Sequence, residues 1–252
     1  MNRLEQWLKS AAIVLDTYPD SSERHDATEA IDAPREAHGF FLPEHYEAGY
    51  AYPLVVWLHG SGEDERQVSS ILPELSMRNY VGVSPQGTSY ATFGPGYAWS
   101  EAAEGIEAAR DRVNSAIELA SAKANIAPQR IFLAGRGEGG TMAIRLALLE
   151  PDRYAGALSF GGSFPRGQHV LRRFKDARSL PLFFAVGADS LEYPVDQLCD
   201  DLKLCHLAWL SVFVKQYCPC GDELVVDMMR DANEWMMNLV TSQRTAQGRF
   251  VS

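Results

Sequence analysis

The sequence predicts an α/β domain with a mostly parallel β-sheet and helices on both of its faces. Short β-rich apolar runs alternate with helical stretches from residue 50 onward, a pattern typical of such sheets. The chain has 252 residues, 46% of them hydrophobic, enough for one substantial core. It contains no internal repeat or low-complexity segment. We therefore expect one domain over residues 21–245, preceded by an extra helix at residues 1–20.

The N-terminal segment has the spacing of an amphipathic helix. Apolar residues recur from Leu4 through Trp7 and Leu8 to Leu15, and polar residues interrupt them. This pattern does not fit a signal peptide. No apolar run of the chain approaches the roughly 18 residues that cross a bilayer. We therefore expect neither secretion nor a membrane span, and a cytoplasmic location.

Short apolar runs bounded by turn residues predict the strands of the sheet. These runs are Leu54–Leu58, Tyr80–Ser84, Ile131–Ala134, Ala155–Phe160, Leu182–Val186 and Leu210–Val214. Upstream of them, Gly39–Leu42 predicts an antiparallel edge strand.

Helical spacing of apolar residues predicts three further elements, Ala102–Ala124, Gly139–Leu149 and Glu223–Val240. In the first of these helices, Ile106, Val113 and Ile117 lie on one face. The second follows a strand directly. The third carries a stripe of methionine and aromatic residues, which is typical of core packing.

Charge and cysteine content exclude several classes of function. The chain has 23 basic and 33 acidic residues, a net charge of -10, which disfavours nucleic acid as a partner. The spacing of Cys199, Cys205, Cys218 and Cys220 is unlike that of zinc knuckles, which favours free thiols and leaves a disulfide open. We expect no metal and no cofactor. A homo-oligomer is possible, but no motif indicates one.

Two glycine-rich turns carry the chemistry of the chain. In the first, His59-Gly60-Ser61 follows a buried strand, where glycine lets a backbone N–H approach a developing oxyanion. In the second, a strand turns into a helix through Gly135-Arg136-Gly137-Glu138-Gly139. That frame is the Gly-x-Ser-x-Gly nucleophile elbow with glycine at its centre.

With these motifs the sequence resembles the phospholipase/carboxylesterase family of the α/β-hydrolase superfamily, which includes the acyl-protein thioesterases. The resemblance runs from about Gly39 to Leu239 and leaves out the N-terminal helix. Other segments that carry it are Trp99–Glu104, Gly135–Gly140, Ser159–Pro165 and Gly187–Asp189. The resemblance implies an α/β-hydrolase fold and a catalytic triad in the chain order Ser, Asp, His.

The positions of that triad fall on Gly137, Asp189 and Asp222, so the resemblance implies that only the acid is retained. Glycine has no side chain to attack a carbonyl, and an aspartate cannot relay a proton as an imidazole does near neutral pH. Gly137 also relieves the backbone strain that a side chain suffers at an elbow. We therefore expect no ordinary serine-esterase turnover.

The charged residues around this turn allow more than one interpretation. If the loops lie as in the family, Asp189 and Asp222 face each other and their repulsion needs an offset. Arg136, a bound cation or solvent exposure are the candidates. Arg136 and Glu138 are equally well read as solvated turn residues. We expect His59 to brace the oxyanion loop rather than to act as a base.

The hypothesis that follows is a non-catalytic or strongly impaired hydrolase homologue that binds a small ligand or a protein. Its pocket is formed by Ser61, Gly137, Glu138, Asp189 and Asp222. The alternative is an active hydrolase of small carboxylic esters or thioesters. It would use a non-standard nucleophile such as Cys218 or Cys220, or water activated by Asp189 and Asp222. A third class, an interaction scaffold that docks a partner through the N-terminal helix, also stays open.

Overall fold

Within the described residues, the main sheet has seven strands, six of them parallel to one another. The computed structural model describes residues 37–92, 94–167 and 173–248, so the predicted helix at residues 1–20 lies outside the described residues. In chain order the strands are β1 (His38–Phe41), β2 (Tyr52–Leu58), β3 (Val81–Pro85), β4 (Ser89–Tyr90), β5 (Tyr97–Ala98), β6 (Ile126–Arg136), β7 (Gly156–Phe160), β8 (Pro181–Gly187) and β9 (Ser211–Tyr217). The sheet order is β1-β3-β2-β6-β7-β8-β9, and β4 pairs with β5 separately.

The helices of the described residues cover both faces of the sheet. They are α1 (Val68–Leu75), α2 (Ala103–Lys123), α3 (Glu138–Leu149), α4 (Phe174–Ala177), α5 (Val195–Leu207) and α6 (Val226–Gly248), with a short 3-10 helix at Glu65–Gln67. In none of them is an apolar stretch long enough to span a membrane.

Strand β2 shows how the two faces of the sheet form. All of its residues are buried, and alternate side chains of a strand point to opposite faces. Leu54, Val56 and Leu58 belong to a core with α2 and α3, whereas Val55 and Trp57 belong to a core with α1 and α6. This two-sided burial explains why the strand is a continuous apolar run.

The predicted fold class, a mostly parallel sheet with helices on both faces, is confirmed. Strand β6 is longer than predicted and begins at Ile126. Strand β1 pairs antiparallel with β3, as expected of the predicted edge strand. Helices α1 and α5 were not predicted. In α5 only Leu198, Asp201 and Cys205 are buried, so its apolar stripe is too thin to stand out in the sequence.

Candidate active site

The candidate active site lies at the carboxyl edge of the sheet, at the ends of β2, β6 and β8, where β2 and β6 are neighbours and β7 lies between β6 and β8. Parallel strands deliver their following loops to this edge, which is where open α/β sheets bind ligands. The loop after β2 carries His59, the turn after β6 carries Gly137, and the loop after β8 carries Asp189.

The turn at Gly137 has the backbone of a nucleophile elbow. Strand β6 ends at Arg136, α3 begins at Glu138, and Gly137 between them has φ 52° and ψ -123°. Its N–H donates to the Phe160 carbonyl at 2.9 Å, and its carbonyl accepts from the Thr141 N–H at 3.0 Å. A positive φ favours glycine, so the sequence and the conformation of the turn agree.

Close packing between α3 and the loop after β2 holds this turn in place. A Cβ on Gly139 would lie 2.2 Å from the Leu58 carbonyl oxygen and 2.3 Å from that of His59. No side chain fits at such distances, so glycine at position 139 lets the helix reach the oxyanion loop. The flanking glycine of the elbow motif is therefore required by packing and not by chemistry.

The space above Gly137 is open rather than filled by packing. Apart from its own chain neighbours, a Cβ built on this residue would have one heavy atom of the described residues within 4 Å, the Glu192 Oε2 at 3.6 Å, which is ordinary van der Waals contact. The structure therefore has room for a side chain at position 137.

His59 is fully buried and uses both ring nitrogens to hold the oxyanion loop. Its Nε2 accepts from the Gly87 N–H at 2.9 Å, so its Nδ1 carries the proton and donates to the Gly60 carbonyl at 2.8 Å. Burial lowers the pKa of His59, which keeps the ring neutral. Neither nitrogen is left to take a proton from a substrate or a nucleophile.

Arg136 connects three parts of the site. Its guanidinium lies 3.3 Å from the Glu63 carboxylate and donates to the Asp222 main-chain carbonyl at 3.2 Å. The other carboxylate oxygen of Glu63 accepts from the Gly60 N–H at 3.1 Å. The arginine thus joins the oxyanion loop, the elbow and the loop before α6. It meets Asp222 through the main chain and not through the carboxylate that the sequence suggested.

Asp222, in the loop before α6, binds the loop that follows Asp189. Its carboxylate accepts from the Ser190 hydroxyl and, at 3.2 Å each, from the N–H groups of Leu191 and Glu192. Partial burial would raise the pKa of Asp222, but these hydrogen bonds outweigh that effect and lower it from 3.8. The nearby charge of Arg136 lowers this pKa as well, so the hydrogen bonds and the predicted arginine together offset the repulsion between acids.

The backbone of Asp189 is joined to the loop before α6, since its N–H donates to the Cys220 carbonyl at 2.8 Å. Its side chain is exposed, as is that of Glu138 at the start of α3. Sequence reasoning missed Ser190 and Glu192. The only signal for them was their position directly after the predicted acid, because no motif distinguishes them.

The four cysteines are free. Cys220 is buried, and its Sγ lies 3.7 Å from the Glu223 carbonyl oxygen. Burial, followed by the nearby charge of Glu223, raises the pKa of this thiol and opposes formation of the thiolate. Among the described residues, no group of three or more His, Cys, Asp or Glu side chains is placed to hold a metal ion.

Fold and site together define an α/β-hydrolase, and the comparisons identify its family. Residues 47–239 match the phospholipase/carboxylesterase family model, so the chain belongs to that family, as the resemblance implied. A probable carboxylesterase of Oryza sativa subsp. japonica is 29% identical over 160 residues, which cover 56% of this chain and 68% of that protein.

Solved structures agree with this fold. Acyl-protein thioesterase 2 of Zea mays matches with a TM-score of 0.66 and 19% identity, over 81% of this chain and 99% of that one. A carboxylesterase of Bacillus cereus matches with a TM-score of 0.63 and 17% identity, over 82% of this chain and 96% of that one. At this level of identity the likeness establishes the fold and not the activity.

Proposed function

We propose that this protein is a phospholipase/carboxylesterase homologue that has lost serine-esterase turnover and kept a pocket for a small ester-like ligand. The observation that carries the proposal is the Gly137 turn. Its backbone keeps the geometry of an elbow, yet the residue at its tip has no side chain. The loop beside it is held by His59, and this order supports a site at which backbone N–H groups bind a carbonyl group.

The hydrogen bonds of Asp222 support the same proposal. Its carboxylate is ionised at neutral pH and is occupied by the Ser190 hydroxyl and two backbone N–H groups. An anion in that state does not shuttle protons near neutral pH as an imidazole does. Because triad members act as a unit, Asp189 alone has nothing to orient.

The ligand class follows from the family rather than from a contact. The relatives named above are carboxylesterases and a thioesterase, so a small carboxylic ester or thioester is the first ligand to test. We propose further that residues 21–245 form one domain and that the protein works in the cytoplasm. A protein partner at the same pocket is the competing interpretation.

Two measurements on the purified protein test the proposal. We expect no labelling by a fluorophosphonate probe, which reacts with an activated serine, and no burst of p-nitrophenol from p-nitrophenyl esters of short and medium acyl chains. Serine labelling or a burst in the wild type would contradict the proposal.

Engineered variants sharpen this test. We expect Gly137→Ser to react weakly with the probe and Gly137→Ser/Asp222→His to react faster, because the second change supplies an imidazole. The matched control is Gly49→Ser, at a glycine with open space around it, which should not react. Strong labelling of the single variant would contradict our assignment of Asp222 to the base position.

A further inference from the structure

A carboxylate that no family motif assigns lies over the vacant elbow. The Glu192 Oε2 is 3.6 Å from the point where a Cβ of residue 137 would stand, and no other heavy atom of the described residues, apart from Gly137 and its two chain neighbours, lies within 4 Å of that point. A nucleophile's oxygen would sit one bond beyond this Cβ. Glu192 therefore reaches the space in which the attacking atom of a hydrolase is expected.

The backbone of Glu192 is fixed from both sides. Before it, the N–H groups of Leu191 and Glu192 donate to Asp222. After it, the Tyr193 N–H donates to the Ser190 hydroxyl at 2.9 Å, and the buried Tyr193 ring donates through its hydroxyl to Asp201 at 2.9 Å. The aspartate at the former base position thus holds the loop that presents Glu192.

The electrostatics of the elbow favour negative charge at this point. Helix α3 begins at Glu138 and has 12 residues, and the first N–H groups of a helix have no acceptor within it. Together with the helix dipole, they stabilise an anion at the N-terminus. The same groups would stabilise the oxyanion that forms when water attacks a bound ester.

We propose that Glu192 is a catalytic general base that activates water against an ester held at the Gly137 elbow. As the water oxygen bonds to the carbonyl carbon, Glu192 takes one proton and the carbonyl electron pair moves to oxygen. The tetrahedral intermediate then re-forms the C=O bond and expels the alkoxide, which takes the proton back from Glu192. Ester and water give carboxylic acid and alcohol, without an acyl-enzyme.

This mechanism rests on the ester-like ligand proposed above, but not on any serine. It explains why glycine at position 137 would be useful, since the missing side chain leaves room for the attacking water. The mechanism predicts slow turnover without an acyl-enzyme, because general-base assistance typically raises the rate by about 10²–10⁴-fold. Such turnover is what we expect of a strongly impaired homologue.

The test is the hydrolysis of p-nitrophenyl acetate by the full chain and by Glu192→Gln, which keeps the shape of the side chain but removes the base. We expect turnover above buffer in the wild type, with no burst, and a loss of at least about 10-fold in the variant. The matched control is Asp196→Asn. Asp196 is an exposed carboxylate four residues after Glu192, and this variant should keep the wild-type rate. Wild-type turnover no faster than buffer, or an unchanged rate in Glu192→Gln, would overturn the proposal.

A second variant separates catalysis from damage to the loop. In Glu192→Ala, added formate should restore part of the rate because it can take the place of the missing carboxylate, whereas Glu192→Gln should not respond. Absence of rescue in a variant with wild-type circular dichroism and thermal midpoint would overturn the role of Glu192 as base. Fluorophosphonate labelling of the wild type would instead refute the loss of serine turnover, so the two failures are distinguishable.

Discussion

The elbow after β6 and the loop before α6 are held in place in different ways. At the elbow, Gly137 has no side chain, and its backbone makes a left-handed turn beside the close approach of Gly139 to the loop after β2. In the loop before α6 a side chain remains, but Asp222 binds Ser190 and the N–H groups of Leu191 and Glu192. Close packing therefore holds the first region, whereas hydrogen bonds to a carboxylate hold the second.

This comparison predicts that packing at the elbow contributes most to stability. We expect Gly139→Ala to lower the free energy of unfolding by about 3 kcal/mol or more, since its Cβ would collide with the carbonyls of Leu58 and His59. Urea unfolding measures the change. Gly49→Ala, which meets no atom within 4 Å, is the control. Equal stability of the two variants would mean that α3 can shift away from the oxyanion loop.

His59 belongs to the same packed region and gives it a pH dependence. We expect His59→Gln to cost about 2–5 kcal/mol, because it disturbs the buried partners Gly87 and Gly60. In the wild type, burial lowers the pKa of His59 from 6.5, so below pH 6.5 the unfolded chain gains a proton that the folded chain resists. Stability should therefore fall as pH drops below this value, and the slope should be smaller in the variant. Equal slopes of stability against pH in the two proteins would mean that groups other than His59 cause the pH dependence.

The loop before α6 should contribute less to the free energy of unfolding than the elbow does. We expect Asp222→Ala to lower the free energy of unfolding by about 1–3 kcal/mol, through the lost hydrogen bonds to Ser190 and to the N–H groups of Leu191 and Glu192. Since the pKa of Asp222 is lowered from 3.8, its contribution is present above pH 3.8 and is lost as pH falls through the folded value. Acid titration of both proteins tests this. A loss as large as that of Gly139→Ala would remove the contrast between the two regions.

The smallest effect is expected at the bridge between the regions. Arg136→Met removes the contacts to Glu63 and to the Asp222 carbonyl, and both charged side chains are about one third exposed, at 35% and 34%. Such ion pairs contribute about 0–1 kcal/mol. The midpoint of thermal unfolding should change little in this variant, and added salt should further reduce its difference from the wild type. A larger loss would show that Arg136 couples the two regions.

The sequence predicted most of the fold because its signals are local. Apolar runs such as Leu54–Leu58 are buried on both faces of the sheet, and the elbow glycines lie where a strand meets a helix. It missed helix α5, whose buried face is narrow. It named Arg136 among the groups that could offset the charge of Asp222, and the charge of Arg136 does lower the pKa of this aspartate, but it missed the larger effect of a serine hydroxyl and two backbone N–H groups.

The sequence by itself determined the family and the α/β architecture, and it is the basis of our proposal that Gly137, Asp189 and Asp222 occupy the three triad positions, since each depends on residue type and spacing along the chain. Only the tertiary structure decided what these positions contact. The order of β6, β7 and β8 brings the loop after Asp189 over the elbow, so that Glu192 meets the space at Gly137. Contacts between distant loops depend on the packing of the whole sheet. A local pattern in the sequence therefore does not predict them.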